Sequence, residues 1–395
     1  MLGFKVLLAM TAFISLASGD CRIILRSNSS HEKAPLFLSQ DRSLYVLQKP
    51  KGSNFRWNNG ETLIVGCANA KNKIASANSN LANVTCVNGE QFRLSGKKVT
   101  YGSLNCSSSV SASIKAQNRP CAAGTGKLFD IGFEVLGVPF VKYFQSCYND
   151  AKSSVLYTEH ELLGGSIDVA QIDNDRPAFK VGELKSKVRF SSVYTQTSQR
   201  NRLATLLGSE EAAQRYISPG SFFAKGHLTP DGDAVLDTWA DATYFYINAA
   251  PEWQVINVGN WLRVENAARK VAARLNDTVR VFTGVYDVLQ LPDANGRPVP
   301  ITLAENSQLE APKWFWKVVH HSGSDSAIAL VTLNNPFASE GEHLCPDVCD
   351  RFGWGHKEFR ELPRGFTYCC SVQDLRKAIK FIPSKADAAN ILRFN

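Results

Sequence analysis

The chain has 395 residues, of which 44% are hydrophobic and 20% charged, with 44 Lys+Arg against 36 Asp+Glu and a formal net charge of +8. That composition is globular. It excludes a disordered polyelectrolyte and a collagen-like chain, and the length suits one large domain or two of ordinary size.

Residues 1–19 carry Lys5, an apolar run from Val6 to Leu16, and the small residues Ala17, Ser18 and Gly19. This is the pattern of a secretory signal peptide cleaved near Asp20. The run is too short to span a bilayer, and no later stretch approaches about 18 uncharged apolar residues. An exported, extracellular protein without a membrane anchor is expected; saliva and gut lumen both suit it. In an oxidising compartment the 10 cysteines most simply form disulfides. Cys21, Cys67, Cys86, Cys106, Cys121 and Cys147 form one group, and Cys345, Cys349, Cys369 and Cys370 a second near the end. Pairing within each group leaves many connectivities open. His343 and His356 beside Cys345 and Cys349 have loose spacing for zinc, so disulfides are expected there. Sequons at Asn28, Asn83, Asn105 and Asn276 suit a secreted surface.

Residues 20–150 hold 16 Lys+Arg and 8 Asp+Glu, whereas the remainder of the mature chain is close to neutral. Short alternating runs, Ser43–Leu47 and Thr62–Cys67, predict a small, basic, disulfide-stapled β-rich domain over 20–150, whose charge suits either a polyanionic partner or solubility alone. A second domain is expected over 151–395. In it, Ser154–Leu163 reads as a strand and Asn201–Ile217 as a helix, with apolar residues at Leu203, Leu206, Leu207, Ala212 and Tyr216. Ser218-Pro219-Gly220 stops that helix. Ser221–Leu228 reads as extended, Thr229–Gly232 as a turn and Ala242–Ile247 as a β-rich run. Asn260–Leu275 reads as an amphipathic helix, then Thr278–Leu291, Trp314–His320 and Ala327–Leu333 as strands and Val372–Phe381 as a late helix. Without regular βαβ alternation, the class is α+β.

The chemistry concentrates in residues 221–269. His227 follows Gly226 at the end of an apolar run, and Asn248, Gln254, Asn257, Asn260, Glu265 and Arg269 follow. Asn257, Trp261, Glu265 and Arg269 are spaced by four, which puts them on one face of a helix extended back to Asn257. Amide, carboxylate and guanidinium on one face suit a hard-metal site of oxygen ligands. A nearby imidazole supplies a general base, and Arg269 can hold a phosphate. Taken singly, each of these residues has a plainer reading as a cap, a solvated pair or a structural histidine. Their combination carries the weight.

These residues resemble the signature of the DNA/RNA non-specific endonucleases, the ββα-metal or His-Me finger nucleases, and in particular their secreted arthropod branch of double-stranded ribonucleases and salivary nucleases. The family pattern is Asp-Arg-Gly-His, then Asn-x-x-Pro-Gln, then Asn, Trp, Glu and Arg at intervals of four. Here the matching residues are Ala224-Lys225-Gly226-His227, Asn248-Ala249-Ala250-Pro251-Glu252, and Asn257, Trp261, Glu265 and Arg269. The resemblance covers roughly residues 150–380. It implies a ββα-metal core with a mixed or antiparallel sheet and flanking helices, preceded by the small β domain. It further implies that His227 is the general base, that Asn257 is the direct ligand of Mg²⁺ or Mn²⁺, and that Glu265 orients water of the metal's shell. Asn248 would support that geometry, Arg269 would contact phosphate, and Arg176 would be a second phosphate-stabilising arginine. Hydrolysis of DNA and RNA to 5′-phosphate ends is implied, with little base readout.

Two departures bear on rate. Ala224 and Lys225 stand in place of Asp-Arg, and Lys keeps the charge without the planar fork that grips phosphate. The loss corresponds to about 1–3 kcal/mol of transition-state stabilisation. Glu252 stands where Gln is usual and would add negative charge near phosphate. Reduced activity is expected. The alternative is a secreted nucleic-acid-binding protein on a degenerate nuclease fold.

Overall fold

In a computed structural model, residues 19–25, 32–41, 44–170 and 176–394 are described. The signal-peptide expectation, apart from Gly19, and the Asn28 sequon lie outside these residues.

Two sheets dominate. The smaller has six strands, and in spatial order they are Leu44–Leu47, Leu36–Asp41, Thr62–Gly66, Leu81–Asn88, Gln91–Leu94 and Lys97–Thr100, all antiparallel. The larger has nine. Its main path runs Thr367–Cys370, Ser326–Leu333, Pro312–His321, Thr278–Val288, Ser154–Leu163, Val141–Asn149, Gly126–Phe133 and Ser113–Cys121. These ladders are antiparallel, and the short strand Asn390–Ile391 adds one parallel ladder to Ser326–Leu333. The fold is therefore α+β with a mixed sheet, as expected.

The division between sheets falls between Thr100 and Ser113, not at residue 150. The three strands from Ser113 to Asn149 pair into the large sheet, with Cys147 opposite Tyr157. Cysteine and charge distribution pointed to 150 because neither reports strand pairing. Nor is the packing divided: one hydrophobic core runs from Leu36 and Phe37 in the small sheet to Val264 and Ala268 in the helix Leu262–Leu275.

Five disulfides join Cys21 to Cys86, Cys67 to Cys106, Cys121 to Cys147, Cys345 to Cys370 and Cys349 to Cys369, so pairing stays within the two groups. Asp347, Cys349 and Cys369 lie close together, but with their sulfurs bonded to each other the two cysteines offer no thiolate to a metal. Among the described residues no helix is long and apolar enough to cross a membrane.

Most expected elements of the second half form, the strand Ser154–Leu163 with the bounds read from the sequence. Two differ. The helix expected over Asn201–Ile217 is two helices, Gln196–Leu207 and Glu210–Gln214, because Gly208 takes a left-handed conformation (φ 80°) and Ser209 caps the second by accepting from the Ala212 amide. The expected β-run Ala242–Ile247 is not a strand. Within it only Phe245 pairs, in an isolated parallel bridge to Lys180, and the regular strand begins at Ala249, after the buried Asn248 side chain donates to Thr243 O and Thr229 O.

Candidate active site

The site is a hairpin followed by a helix, laid on one face of the large sheet. Strand Phe223–His227 pairs antiparallel with Ala249–Trp253, which puts His227 opposite Ala249 and Ala224 opposite Glu252. The hairpin is fastened to the sheet by Thr229 Oγ1, which donates to Thr158 Oγ1 at 2.9 Å, and by Ser146 Oγ, which donates to Ile247 O at 2.8 Å. The chain then enters the helix. Its first turn, Asn257–Trp261, is a π-turn that breaks at Gly259. Gly259 lies against the Arg364 carbonyl, which a Cβ would approach to 2.8 Å. Asn260 donates to Glu358 O and Gly365 O and anchors the turn. The regular helix Leu262–Leu275 follows and carries Glu265 and Arg269.

Strand alternation sets the faces of the hairpin. Lys225 and His227 point to one side. The His227 ring lies 4.8 Å from the rings of both Phe179 and Tyr244, and the Lys225 amine lies 5.5 Å from Phe179 and 5.6 Å from Tyr194. Lys225 has no ion pair with a described residue, and burial lowers its pKa. His227 Nε2 is buried without a hydrogen-bond partner among the described residues. Burial brings the imidazole pKa down to about 4; Asp231 opposes this, while Arg176 and Lys225 reinforce it. His227 is therefore neutral at physiological pH, with a ring nitrogen uncommitted. Asp231 accepts from the Tyr244 hydroxyl at 2.5 Å and faces the exposed Arg176 guanidinium at 3.6 Å.

Glu265 and Arg269 sit deeper. Burial pushes Glu265 up to about 7; Lys317 and Arg269 hold it down, and Asp233 and Asp231 push it further up. Arg269 donates to Asp233 Oδ1 at 2.7 Å and Asn266 Oδ1 at 3.1 Å, with Glu265 at 3.8 Å. Its guanidinium is thus already engaged by protein groups. Asp233 is also bonded to His160 at 2.9 Å; burial alone would raise its pKa, but His160 and Arg269 hold it near 2. Asp231 is the one acid felt electrostatically by both His227 and Glu265.

Asn248 lies behind the site. It is fully buried, and its amide clamps the turn after His227: Thr229 N donates to its Oδ1, and its Nδ2 donates to Thr229 O and Thr243 O. Asn257, by contrast, is half-buried and its side chain makes no hydrogen bond to a described residue.

The sequence reading of Glu252 is corrected. It does not present negative charge to the substrate side. It is fully buried on the opposite face of the hairpin, neither carboxyl oxygen has a partner, and burial holds its pKa well above the usual range, with Glu265 adding to the effect and Lys317 opposing it. Asp231, Asp233, Tyr244, Phe179 and Lys317 were not singled out from sequence. Asp231 sat in a segment that read as a turn, and Asp233 directly follows it. The one available signal for Lys317 was a charge set between the apolar runs Trp314–Trp316 and Val318–Val319.

Fold and site together define an α+β protein with a hairpin-and-helix centre built around a neutral histidine, an open asparagine and a buried Glu–Arg pair. The chain belongs to the DNA/RNA non-specific endonuclease family, whose pattern matches residues 124–375. The match begins within the large sheet, earlier than the roughly residue 150 expected. The chain is 30% identical to a salivary endonuclease of Lutzomyia longipalpis over 94% of this chain and 86% of that one. It is 26% identical to a salivary endonuclease of Culex quinquefasciatus, over 94% and 92%. It is 24% identical to salivary protein Tsal2A of Glossina morsitans morsitans, over 96% of each chain.

Proposed function

We propose that this is a secreted, metal-dependent, sugar-non-specific endonuclease that hydrolyses DNA and RNA to 5′-phosphate ends, with turnover reduced by the loss of Asp-Arg before Gly226. The observation that carries the reading is the neutral His227 with its unpartnered Nε2, flanked by two cations without a tight carboxylate pair, Arg176 and Lys225. His227 takes the proton from the attacking water, which a neutral imidazole can do and a charged one cannot. Arg176 and Lys225 attract the phosphodiester and offset its developing charge. Asn248 fixes the turn that aims the histidine. Arg269 holds Asp233 and Glu265 in register and adds positive charge beside the centre.

The donor set fits a hard divalent cation. Asn257 offers an amide oxygen that no described residue uses, and Glu265 a carboxylate, all-oxygen chemistry that suits Mg²⁺ or Mn²⁺. Asn257 would hold the ion directly, with Glu265 acting from behind it. Bound there, the ion would polarise a phosphate oxygen. The signal-like N-terminus, five disulfides and salivary relatives support secretion.

The test is digestion of plasmid DNA and of double-stranded RNA with Mg²⁺ and with EDTA, alongside His227→Ala. Magnesium-dependent cleavage, abolished by EDTA and reduced at least about 100-fold in the variant with binding retained, is the expected result. Unchanged cleavage by His227→Ala overturns the site. A second reading, binding without turnover, is favoured by the engagement of Arg269 with Asp233 and by the absence of a carboxylate at Ala224. Retarded but uncut nucleic acid would carry it.

A further inference from the structure

Residues 176–202 hold 7 Lys+Arg against one acid, Glu183. The near-neutral balance of the second half conceals this local excess. The stretch is a strap fixed to the site at both ends. Near its start the Phe179 ring lies 4.8 Å from that of His227, and the Lys180 backbone donates to Tyr244 O and accepts from Tyr246 N. Midway, Leu184 is buried and the Ser186 and Ser153 hydroxyls lie 2.8 Å apart. At its end, in the helix Gln196–Leu207, the buried Gln199 side chain bonds both N and O of Phe223, which begins the strand that carries Lys225 and His227.

Between these anchors burial alternates. Leu184 and Phe190 are buried, Ser186 and Val188 half-buried, and Lys185, Lys187 and Arg189 exposed. A two-residue period turns the three cations to one outward side. Among the described residues, the one ion pair of the strap joins Arg176 to Asp231, so these three have none. Beside them a groove of about 730 Å³ lies between the helix Gln196–Leu207 and residues 303–308, lined among others by Lys187, Arg189, Asn201 and Arg202, with Glu305 its one acid. Arg202 is held on the groove wall by donating to Thr302 O at 3.1 Å and Oγ1 at 2.7 Å.

We propose that Lys185, Lys187 and Arg189, with the groove beside them, form a phosphate-backbone track that grips a bound nucleic acid on one flank of the nuclease centre. Unpaired like charges on one side of a short segment repel each other, and a polyanion relieves that repulsion. Solubility needs no such crowding, since dispersed charge of both signs serves it. An open groove rimmed by cations suits a chain of phosphates, and contacts of this kind hold the backbone without reading bases. The basic excess of residues 20–150 is spread over a far longer segment and two sheets.

The inference rests on the proposed nucleic-acid substrate, and the experiment separates the two. Binding of a labelled short DNA duplex to the full chain is followed by fluorescence anisotropy in EDTA, over about 50 to 200 mM salt. The proteins are wild type, the triple variant Lys185→Gln, Lys187→Gln, Arg189→Gln, and a control with the same charge removed from exposed N-terminal positions, Arg22→Gln, Arg56→Gln, Arg93→Gln. At about 100 mM salt the strap variant should bind about 10- to 100-fold more weakly, and the slope of log K against log salt should become shallower by about 2 to 3. The control should stay within about threefold of wild type, because charges outside the contact are screened. All substituted side chains are exposed, so equal melting temperatures should show that folding is intact. An unchanged slope in the strap variant, or equal losses in both variants, overturns the proposal. Wild-type protein that shows no salt-dependent binding overturns the nucleic-acid reading itself, and this track with it.

Discussion

Gly226 and Glu252 share one space: a Cβ built on Gly226 would lie 2.3 Å from Glu252 Oε2. The glycine before the histidine is required because the second strand of the hairpin packs a buried carboxyl directly beneath it. Backbone at Gly226 therefore sits lower than any residue with a side chain would allow, and His227 is aimed from that height.

Gly226→Ala should accordingly displace Glu252 or lift the strand. The expected stability loss is about 1–3 kcal/mol, the usual cost of overpacking a tight contact. Cleavage should fall further than the folded fraction does, because His227 moves with the strand. Thermal unfolding and single-turnover cleavage measured on the same preparation check this; a rate that tracks the folded fraction alone would show that the height of the strand does not matter.

Glu252→Gln should leave cleavage within about twofold, since the side chain faces away from Lys225 and His227. Its effect belongs to stability. The folded-state pKa lies well above the usual value, with burial as the main cause. Stability from this carboxyl is therefore fully present below its unfolded pKa and is lost as pH rises towards the folded one. The Gln variant lacks that slope, so its melting temperature should overtake wild type progressively as pH rises from about 5 to about 9. Parallel curves over that range would contradict a protonated Glu252.

The wild-type cleavage rate should rise through an acid limb near the Glu265 value of about 7, not near the His227 value of about 4. Deprotonation of Glu265 supplies the carboxylate, and by that pH His227 is already neutral. Glu265→Gln should be slow and flat across this limb. A wild-type limb near pH 4 would assign the control to His227 instead.

Asp233→Asn should destabilise the protein by about 3 kcal/mol, because it leaves the Arg269 guanidinium and the His160 ring buried without their shared anion. The Asp233 pKa, near 2, is below its unfolded value. This contribution is present above the unfolded value and is lost as pH falls through 2. Urea unfolding at pH 7 and at pH 2.5 reads both effects: the gap between wild type and variant should narrow at the lower pH.

Much of this protein was legible in sequence because the signals are local. The signature from Ala224 to Arg269 needs only residue type and spacing, and the Gly-His tetrad, the asparagines and the helical Trp-Glu-Arg series all lie in one stretch. The class of the fold, the strand Ser154–Leu163 and the division of the cysteines into two groups followed from periodicity and position. What sequence misjudged was non-local. Residues 113–149 look like the basic, cysteine-bearing segment before them, yet their backbone hydrogen bonds go to the large sheet. Glu252 reads as a charge beside a phosphate, yet strand alternation turns it inward and burial raises its carboxyl pKa.

By itself, then, the sequence determined the family and singled out His227 as the candidate base, because these readings are set by side-chain types at short intervals along one stretch of chain. Only the tertiary structure decided how those groups are tuned. Whether His227 is neutral, whether Arg269 is free or held by Asp233, and how far the Glu265 carboxyl is pushed up depend on burial and on groups such as Arg176, Asp233 and Lys317 that lie tens of residues away in the chain. Desolvation and Coulomb interactions act through space, and chain order does not record the distances that set their size.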